Sequence, residues 1–313
     1  MNLSSKIFVA GHNGMVGSAI VRKLNELGYT NILIVNKLQL DLINQSSVLS
    51  FFIDKKPEYV FLAAAKVGGI KANSIYSGDF IYENLMIQTN IIKACHITGV
   101  KKLLFLGSSC IYPKLCQQPI KEEYLLDGYL EESNESYAVA KIAGIKMCQA
   151  FNKQYNTNFI SVMPTNLYGK FDNYNLQNSH VLPSLIRRFH EAKLENKKSI
   201  ELWGTGTSMR EFLYSDDLAD ACIFLMNTYN KSDIVNIGTG KDISIYKLSM
   251  LIKDIVGYTG DIIFNNNTTL DGTPRKLLDV SYLNSLGWKY QTKLKDGLEK
   301  TYHNFKLENL IRE

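Results

Sequence analysis

Residues Lys6-Ile7-Phe8-Val9-Ala10-Gly11-His12-Asn13-Gly14-Met15-Val16-Gly17 carry the reading of the fold. Lys6–Ala10 is a short β-rich run, and three glycines follow at intervals of three. From Val16 to Leu27 apolar residues recur at helical spacing until Gly28 stops them. Glycine in such a turn permits tight curvature, admits a ligand close to the backbone, and lets the helix pack against the strand. On its own the triad is also what a turn that merely packs a helix looks like.

The surrounding pattern favours the first reading. Strand signals at Asn31–Val35, Tyr59–Leu62, Lys102–Leu106 and Phe159–Met163 alternate with helix signals at Ser46–Lys55, Asp79–Thr98 and Tyr137–Tyr155. Such alternation needs crossover connections and predicts an α/β fold with a doubly wound parallel Rossmann sheet. In that context a glycine loop between the first strand and first helix is a dinucleotide cradle, with the helix N-terminus facing the pyrophosphate. Past Pro164 the pattern loosens. A basic amphipathic helix over Val181–Lys193 precedes a strand, a helix and a strand at Ile200–Trp203, Asp216–Tyr229 and Ile234–Ile237. Two short helical stretches, Ile245–Val256 and Leu294–Phe305, close the chain. We expect a dinucleotide-binding domain over residues 1–165 with return segments near 213–240. A smaller α/β substrate-binding domain would use 166–212 and 241–313.

The chain's 313 residues suffice for two such units, and 45% hydrophobic with 21% charged residues is ordinary globular composition. No apolar run approaches a membrane span, and Ile7–Ala10 is too short for a signal segment, so the cytoplasm is the expected compartment. Thirty-five Lys and Arg against 30 Asp and Glu leave +5. That excess suits a phosphate-bearing small ligand, and its scatter argues against nucleic acid. Cys95, Cys110, Cys116, Cys148 and Cys222 lack CxxC spacing, which indicates neither a metal site nor a disulfide framework.

Tyr137 and Lys141 are four apart on a predicted helix and share a face. Ser108 follows the fourth strand at its C-terminal end, where ligands bind in open α/β sheets. A phenol, with a pKa of about 10, is a poor acid–base group at neutral pH, and an adjacent ammonium favours its ionised form. In a reduction the phenol gives its proton to a carbonyl oxygen as hydride arrives, and Ser108 donates a second hydrogen bond to that oxygen. Lys141 can also anchor the nicotinamide ribose. The second strand ends Val35-Asn36-Lys37 with no acid to hold a ribose 2′-hydroxyl, so Lys37, with Asn13, favours the 2′-phosphate of NADP(H). Lys37 as an ordinary surface lysine is the competing reading.

With the glycine loop, this trio resembles the extended short-chain dehydrogenase/reductases. Longer matches resemble one family among them, the GDP-L-fucose synthases, which are GDP-4-keto-6-deoxy-mannose 3,5-epimerase/4-reductases. These are Gly11–Gly17, Ala63–Ile70, Gly107–Leu115, Tyr137–Lys146, Val162–Gly169, Asn178–Val181, Met209–Phe212 and Asp271–Lys276. The acidic residues that sugar dehydratases place just after the catalytic Ser/Thr are replaced by Ser109 and Cys110. The resemblance implies that Cys110 is the base and His180 the acid of epimerisation, with Ser108, Tyr137 and Lys141 reducing C4. It implies cofactor contacts at Gly11, His12, Asn13, Gly14, Met15, Val16, Gly17, Lys37, Leu106, Gly107, Ser108, Lys141, Pro164, Thr165, Asn166, Leu167 and His180. Arg188, Trp203, Arg210 and Asp271 fall at substrate-contacting positions. It also implies a homodimer built on paired helices, such as Asp79–Thr98 and Tyr137–Tyr155.

Asn13 and Lys37 stand where the family commonly has arginines, which weakens the 2′-phosphate argument, and the stretch after Tyr229 is short. Three alternatives stay open: reduction without epimerisation, a GDP-4-keto-6-deoxy-heptose as substrate, and, more remotely, a non-catalytic NADP-binding protein.

Overall fold

The computed structural model describes residues 1–176, 178–265, 267 and 272–312. The first part of the chain runs β1 Ile7–Ala10, α1 Met15–Glu26, β2 Ile32–Leu33, α2 Gln45–Lys55, β3 Tyr59–Leu62, α3 Ile70–Ile75, α4 Ser77–Ile97 and β4 Lys102–Leu106. Then come α5 Glu135–Tyr155, β5 Phe159–Pro164, β6 Asn166–Tyr168, α6 Val181–Leu194, β7 Ser199–Leu202, β8 Met209–Tyr214, α7 Ser215–Thr228 and β9 Val235–Ile237. The chain finishes with β10 Asp242–Ser244, α8 Ile245–Val256, β11 Asp261–Phe264, β12 Arg275–Lys276, α9 Ser281–Ser285 and α10 Leu294–Arg312.

Six parallel strands form the main sheet in the order β2-β1-β3-β4-β5-β9. Its strands are buried on both faces, so their sequences read as apolar runs rather than alternations. The pleat sends Ile7, Val9, Leu104 and Leu106 into a core with α1 and α7. Phe8, Ala10, Leu103 and Phe105 go into an opposite core with α2, α4 and α5. Strand order reverses direction between β1 and β3, which opens a crevice at their C-terminal ends, where the glycine loop lies.

A third core joins Tyr168 with α6, α8 and α10. Above it a small sheet runs β10-β8-β12 with β6 also on β8, and β7 pairs with β11. Ser244 caps α8 by accepting from the Lys247 N–H at 3.2 Å, and Gly257 closes it at φ 72°.

The bounds expected for β3, β4 and α8 are the observed ones. Other expectations need correction. The second strand is only Ile32–Leu33, because it lies at the sheet edge, where Ile34 already turns outward and is 47% exposed. The closing helix is not short: α10 continues to Arg312 through a charged stretch that apolar periodicity does not mark. The loosened region past Pro164 contains β6, β8, β10, β11 and β12, short strands that pairing defines better than composition. Among the described residues no helix is long and apolar enough to cross a membrane.

Candidate active site

The glycine loop is shaped by two close approaches. Gly11 holds φ +89°, and a Cβ there would lie 2.7 Å from the Ala64 nitrogen. A Cβ on Gly17 would lie 2.1 Å from the Gly11 oxygen, so α1 starts in direct contact with the turn. Gly14 differs, since its Cβ would meet only the Gly11 oxygen at 3.5 Å, an ordinary contact. Among the described residues nothing demands glycine at this position. Gly14 is the N-cap of α1, no side chain caps it, and the first turn holds no acid. The leading N–H groups of Met15, Val16 and Gly17 are thus suited to an anion. His12 and Asn13 complete the turn. Lys37 is exposed on a turn tied by reciprocal Asn36–Gln39 hydrogen bonds of 3.2 and 3.0 Å.

At the end of β4, Leu106 and Gly107 lead into Ser108. A Cβ on Gly107 would strike Met163 at 2.4 Å, so glycine lets β4 end flush against β5. Ser108 Oγ accepts the Cys110 N–H at 3.4 Å, capping the short 3-10 turn Ser109–Ile111, and accepts the Cys110 Sγ–H at 2.9 Å. From the first turns of α5 come Tyr137, whose phenol lies near Ser108, and Lys141. Lys141 Nζ donates to the Leu106 carbonyl at 2.8 Å and stands 5.7 Å from the Tyr137 ring centroid. Phe80 packs edge-on to Tyr137 at 6.4 Å.

The electrostatics differ from the sequence expectation. Burial drives the Tyr137 pKa well upward, the neighbouring Cys110 adds to this, and the nearby Ser108 hydroxyl only opposes it. The chain alone therefore keeps this phenol protonated and does not favour phenolate. Burial also lowers Lys141 to about 8. These environments suit a phenol that donates a proton beside a cation that titrates just above neutrality.

His180 is the N-cap of α6. Its loop is held by Gly69, whose N–H donates to the Asn178 oxygen at 2.9 Å and where a Cβ would lie 2.5 Å from the Ser179 oxygen. His180 is exposed as a residue, while desolvation of its imidazole and, second, the Lys276 charge pull its pKa below the usual value. Lys276 also lies in the electrostatic reach of Cys110, Cys116, Arg210 and Glu131. Sequence reasoning quoted Lys276 only within a matching run and missed its place beside Cys110 and His180. The pairing of β12 with β8, which sets Lys276 opposite Arg210, was the unread signal.

Arg188 and Trp203 meet as a stack, with the guanidinium 4.8 Å from the indole centroid, and Trp203 remains 52% exposed. Pro164, Thr165, Asn166 and Leu167 lie at the end of β5 and the start of β6. Asp271 lies outside the described residues.

A doubly wound sheet with an uncapped glycine turn at its switch point, and Ser, Tyr and Lys beside that crevice, defines a nucleotide-dependent carbonyl-chemistry fold. A family model for the NAD dependent epimerase/dehydratase family matches residues 7–238, and the chain belongs to that family. It is 57% identical over 310 residues to putative GDP-L-fucose synthase 2 of Arabidopsis thaliana, covering 99% of this chain and 94% of that protein. It is 51% identical over 316 residues to GDP-L-fucose synthase of Escherichia coli (strain K12), covering 98% of each. Among solved structures, a GDP-mannoheptose C4 reductase from Campylobacter jejuni with NADP bound superposes with a TM-score of 0.91 at 45% identity, covering 98% of this chain and 99% of that one.

Proposed function

We propose that the chain is an NADPH-dependent enzyme that epimerises GDP-4-keto-6-deoxy-D-mannose at C3 and C5 and reduces C4, forming GDP-L-fucose. One observation carries this reading. Ser108 Oγ accepts the Cys110 thiol at 2.9 Å, and the same hydroxyl lies beside the buried Tyr137 phenol, so the groups for enolisation and for reduction converge on one residue. The substrate's C4 oxygen must be polarised in both steps, which a single pair of donors can do.

In epimerisation the Cys110 thiolate removes the proton from C3 or C5, each acidified by the C4 ketone, and His180 returns one on the opposite face. Lys276 adds to the desolvation that makes a protonated His180 a stronger acid. In reduction Tyr137 donates its proton to the C4 oxygen while Ser108 orients that oxygen. Lys141 supplies positive charge near the phenol and a donor for the nicotinamide ribose.

NADPH supplies the hydride. Gly14 and the open N–H groups of Met15–Gly17 fit its pyrophosphate, and Lys37 its 2′-phosphate. Leu106, Gly107 and Pro164–Leu167, at the strand ends, would flank its nicotinamide. Arg188, Trp203, Arg210 and Lys276 would hold the GDP moiety, in the smaller domain assigned to residues 166–212 and 241–313. Two copies would associate through α4 and α5.

The test is incubation with NADPH and GDP-4-keto-6-deoxy-D-mannose in heavy water, followed by proton NMR. GDP-L-fucose deuterated at C3 and C5 supports the reading. A reduced product without deuterium assigns a C4 reductase instead, the activity named for the Campylobacter jejuni relative. No turnover with bound NADPH refutes both.

A further inference from the structure

Glu211 has no role in the chemistry above, yet its side chain is wholly buried one residue from Arg210. A carboxylate removed from water is costly unless its oxygens are satisfied. Here Oε1 accepts the Thr239 N–H at 2.5 Å, the Gly240 N–H at 2.7 Å and the Thr239 hydroxyl at 3.3 Å. Oε2 accepts the Leu278 N–H at 2.9 Å. Gly238 is glycine for the same reason, since a Cβ there would sit 2.3 Å from Oε1.

The three segments gripped are informative. Leu278 lies two residues past Lys276, which pairs in register with Arg210. Thr239 and Gly240 follow β9, the edge strand of the main sheet. The Glu211 carbonyl accepts from Asn166 Nδ2 at 2.8 Å and Thr165 Oγ1 at 3.3 Å, and the Thr165 N–H binds the Ile237 oxygen at 3.0 Å. The bonds to Thr239, Gly240, Asn166 and Thr165 thus tie β8 to the β5 and β9 end of the main sheet, and the bond to Leu278 ties β8 to the segment just after β12. Ser108, just after β4, and Tyr137 and Lys141, on α5, receive none of them.

We propose that Glu211 is a positioning residue, a carboxylate clamp that fixes the cations Arg210 and Lys276 relative to the cofactor crevice so that both meet the substrate diphosphate. The proposal rests on the GDP-sugar reading, and its test uses GDP itself as probe so that it does not depend on turnover. Glu211→Gln keeps the volume but turns an NH2 donor toward N–H groups. Gly238→Ala keeps the charge but pushes the carboxylate aside.

By calorimetry, both variants are expected to raise the Kd for GDP about tenfold while the Kd for NADPH stays within about twofold. The KM for the sugar nucleotide should rise in step with the GDP Kd, with kcat less affected. An unchanged GDP Kd overturns the proposal, as does loosening of GDP and NADPH together, which marks a general structural role. Failure of both variants to fold also counts against it, because a clamp acting on the site alone leaves the fold standing. Normal GDP behaviour of the wild type without sugar turnover would instead refute the activity and leave the clamp to be judged on binding.

Discussion

The thiol of Cys110 donates to the hydroxyl oxygen of Ser108 across 2.9 Å. Sulfur and oxygen are thus adjacent but distinct groups, and on the proposed reading removing one should not remove the other's function. Cys110→Ser preserves a donor of similar shape but replaces a thiol by an alcohol too weakly acidic to act as the base. Deuterium uptake at C3 and C5 is expected to fall by about 10²–10⁴-fold. Reduction of the C4 ketone should remain measurable by NADPH oxidation. Undiminished exchange would assign the base to another group.

If Lys141 acts in the reduction as proposed, its cation sets an alkaline limit to the rate. Its folded pKa of about 8 lies below the ordinary lysine value, so the cation is present below that pH and lost above it. The rate of NADPH oxidation is expected to fall through pH 8 and to reach about one tenth of its plateau at pH 9. Unfolding would not explain this loss. Between pH 8 and the unfolded lysine pKa the unfolded chain holds the extra proton, so the Lys141 contribution to stability rises with pH. Lys102, buried among carbonyl oxygens at the end of α7 and also lowered to about 8, works in the same direction. A melting temperature that falls in parallel with activity between pH 8 and 9 would contradict the assignment.

The main sheet was legible because parallel strands covered on both faces write themselves as apolar runs, as in Lys102–Leu106, between helices of regular period. Tyr137 and Lys141 were legible because helical spacing alone puts them on one face. β8 was not. Met209–Tyr214 carries Arg210 and Glu211 side by side, and only the tertiary bonds to residues 239, 240 and 278 explain a buried carboxylate in a strand. The phenol's raised pKa was hidden for a similar reason. Burial depends on Phe80 and the walls of the crevice, which spacing on one helix does not encode.

Lys37 is exposed on a turn whose backbone is fixed by Asn36 and Gln39, so it can reach a ligand without reorganising the loop. Lys37→Glu is expected to raise the KM for NADPH about tenfold or more by placing a carboxylate against the 2′-phosphate, and to leave NADH use nearly unchanged. Steady-state kinetics with both nucleotides decides it. Equal effects on the two would place Lys37 away from the 2′-phosphate.

α4 and α5 pack side by side, and α5 exposes a stripe of Val139, Ala143, Lys146 and Ala150, with Tyr82 exposed on α4. Small residues let a second helix pair approach closely. If this face joins two copies, Ala143→Glu buries an unpaired charge there and sedimentation should shift from twice 35.5 kDa to a single chain. A wild-type monomer would rule the dimer out.

Trp203 offers a direct optical test of the substrate side. The chain has two tryptophans, and they sit in opposite environments. Trp288 is 5% exposed with its indole N–H donated to Asp220 at 2.8 Å, whereas Trp203 is 52% exposed and stacked at 4.8 Å on Arg188. One face of the Trp203 indole thus meets a guanidinium while about half of the residue stays exposed. A guanine settling there would replace water by an aromatic plane and quench the indole, while Trp288 would not sense it. GDP is expected to quench the wild type and Trp288→Phe alike, and Trp203→Phe should lose the response while retaining its NADPH signal. Arg188→Ala should weaken GDP binding by about tenfold, since it removes both the phosphate fork and the support of the indole. Quenching that survives Trp203→Phe but disappears in Trp288→Phe would move the nucleotide to the α7 side of the sheet and separate it from Arg210 and Lys276.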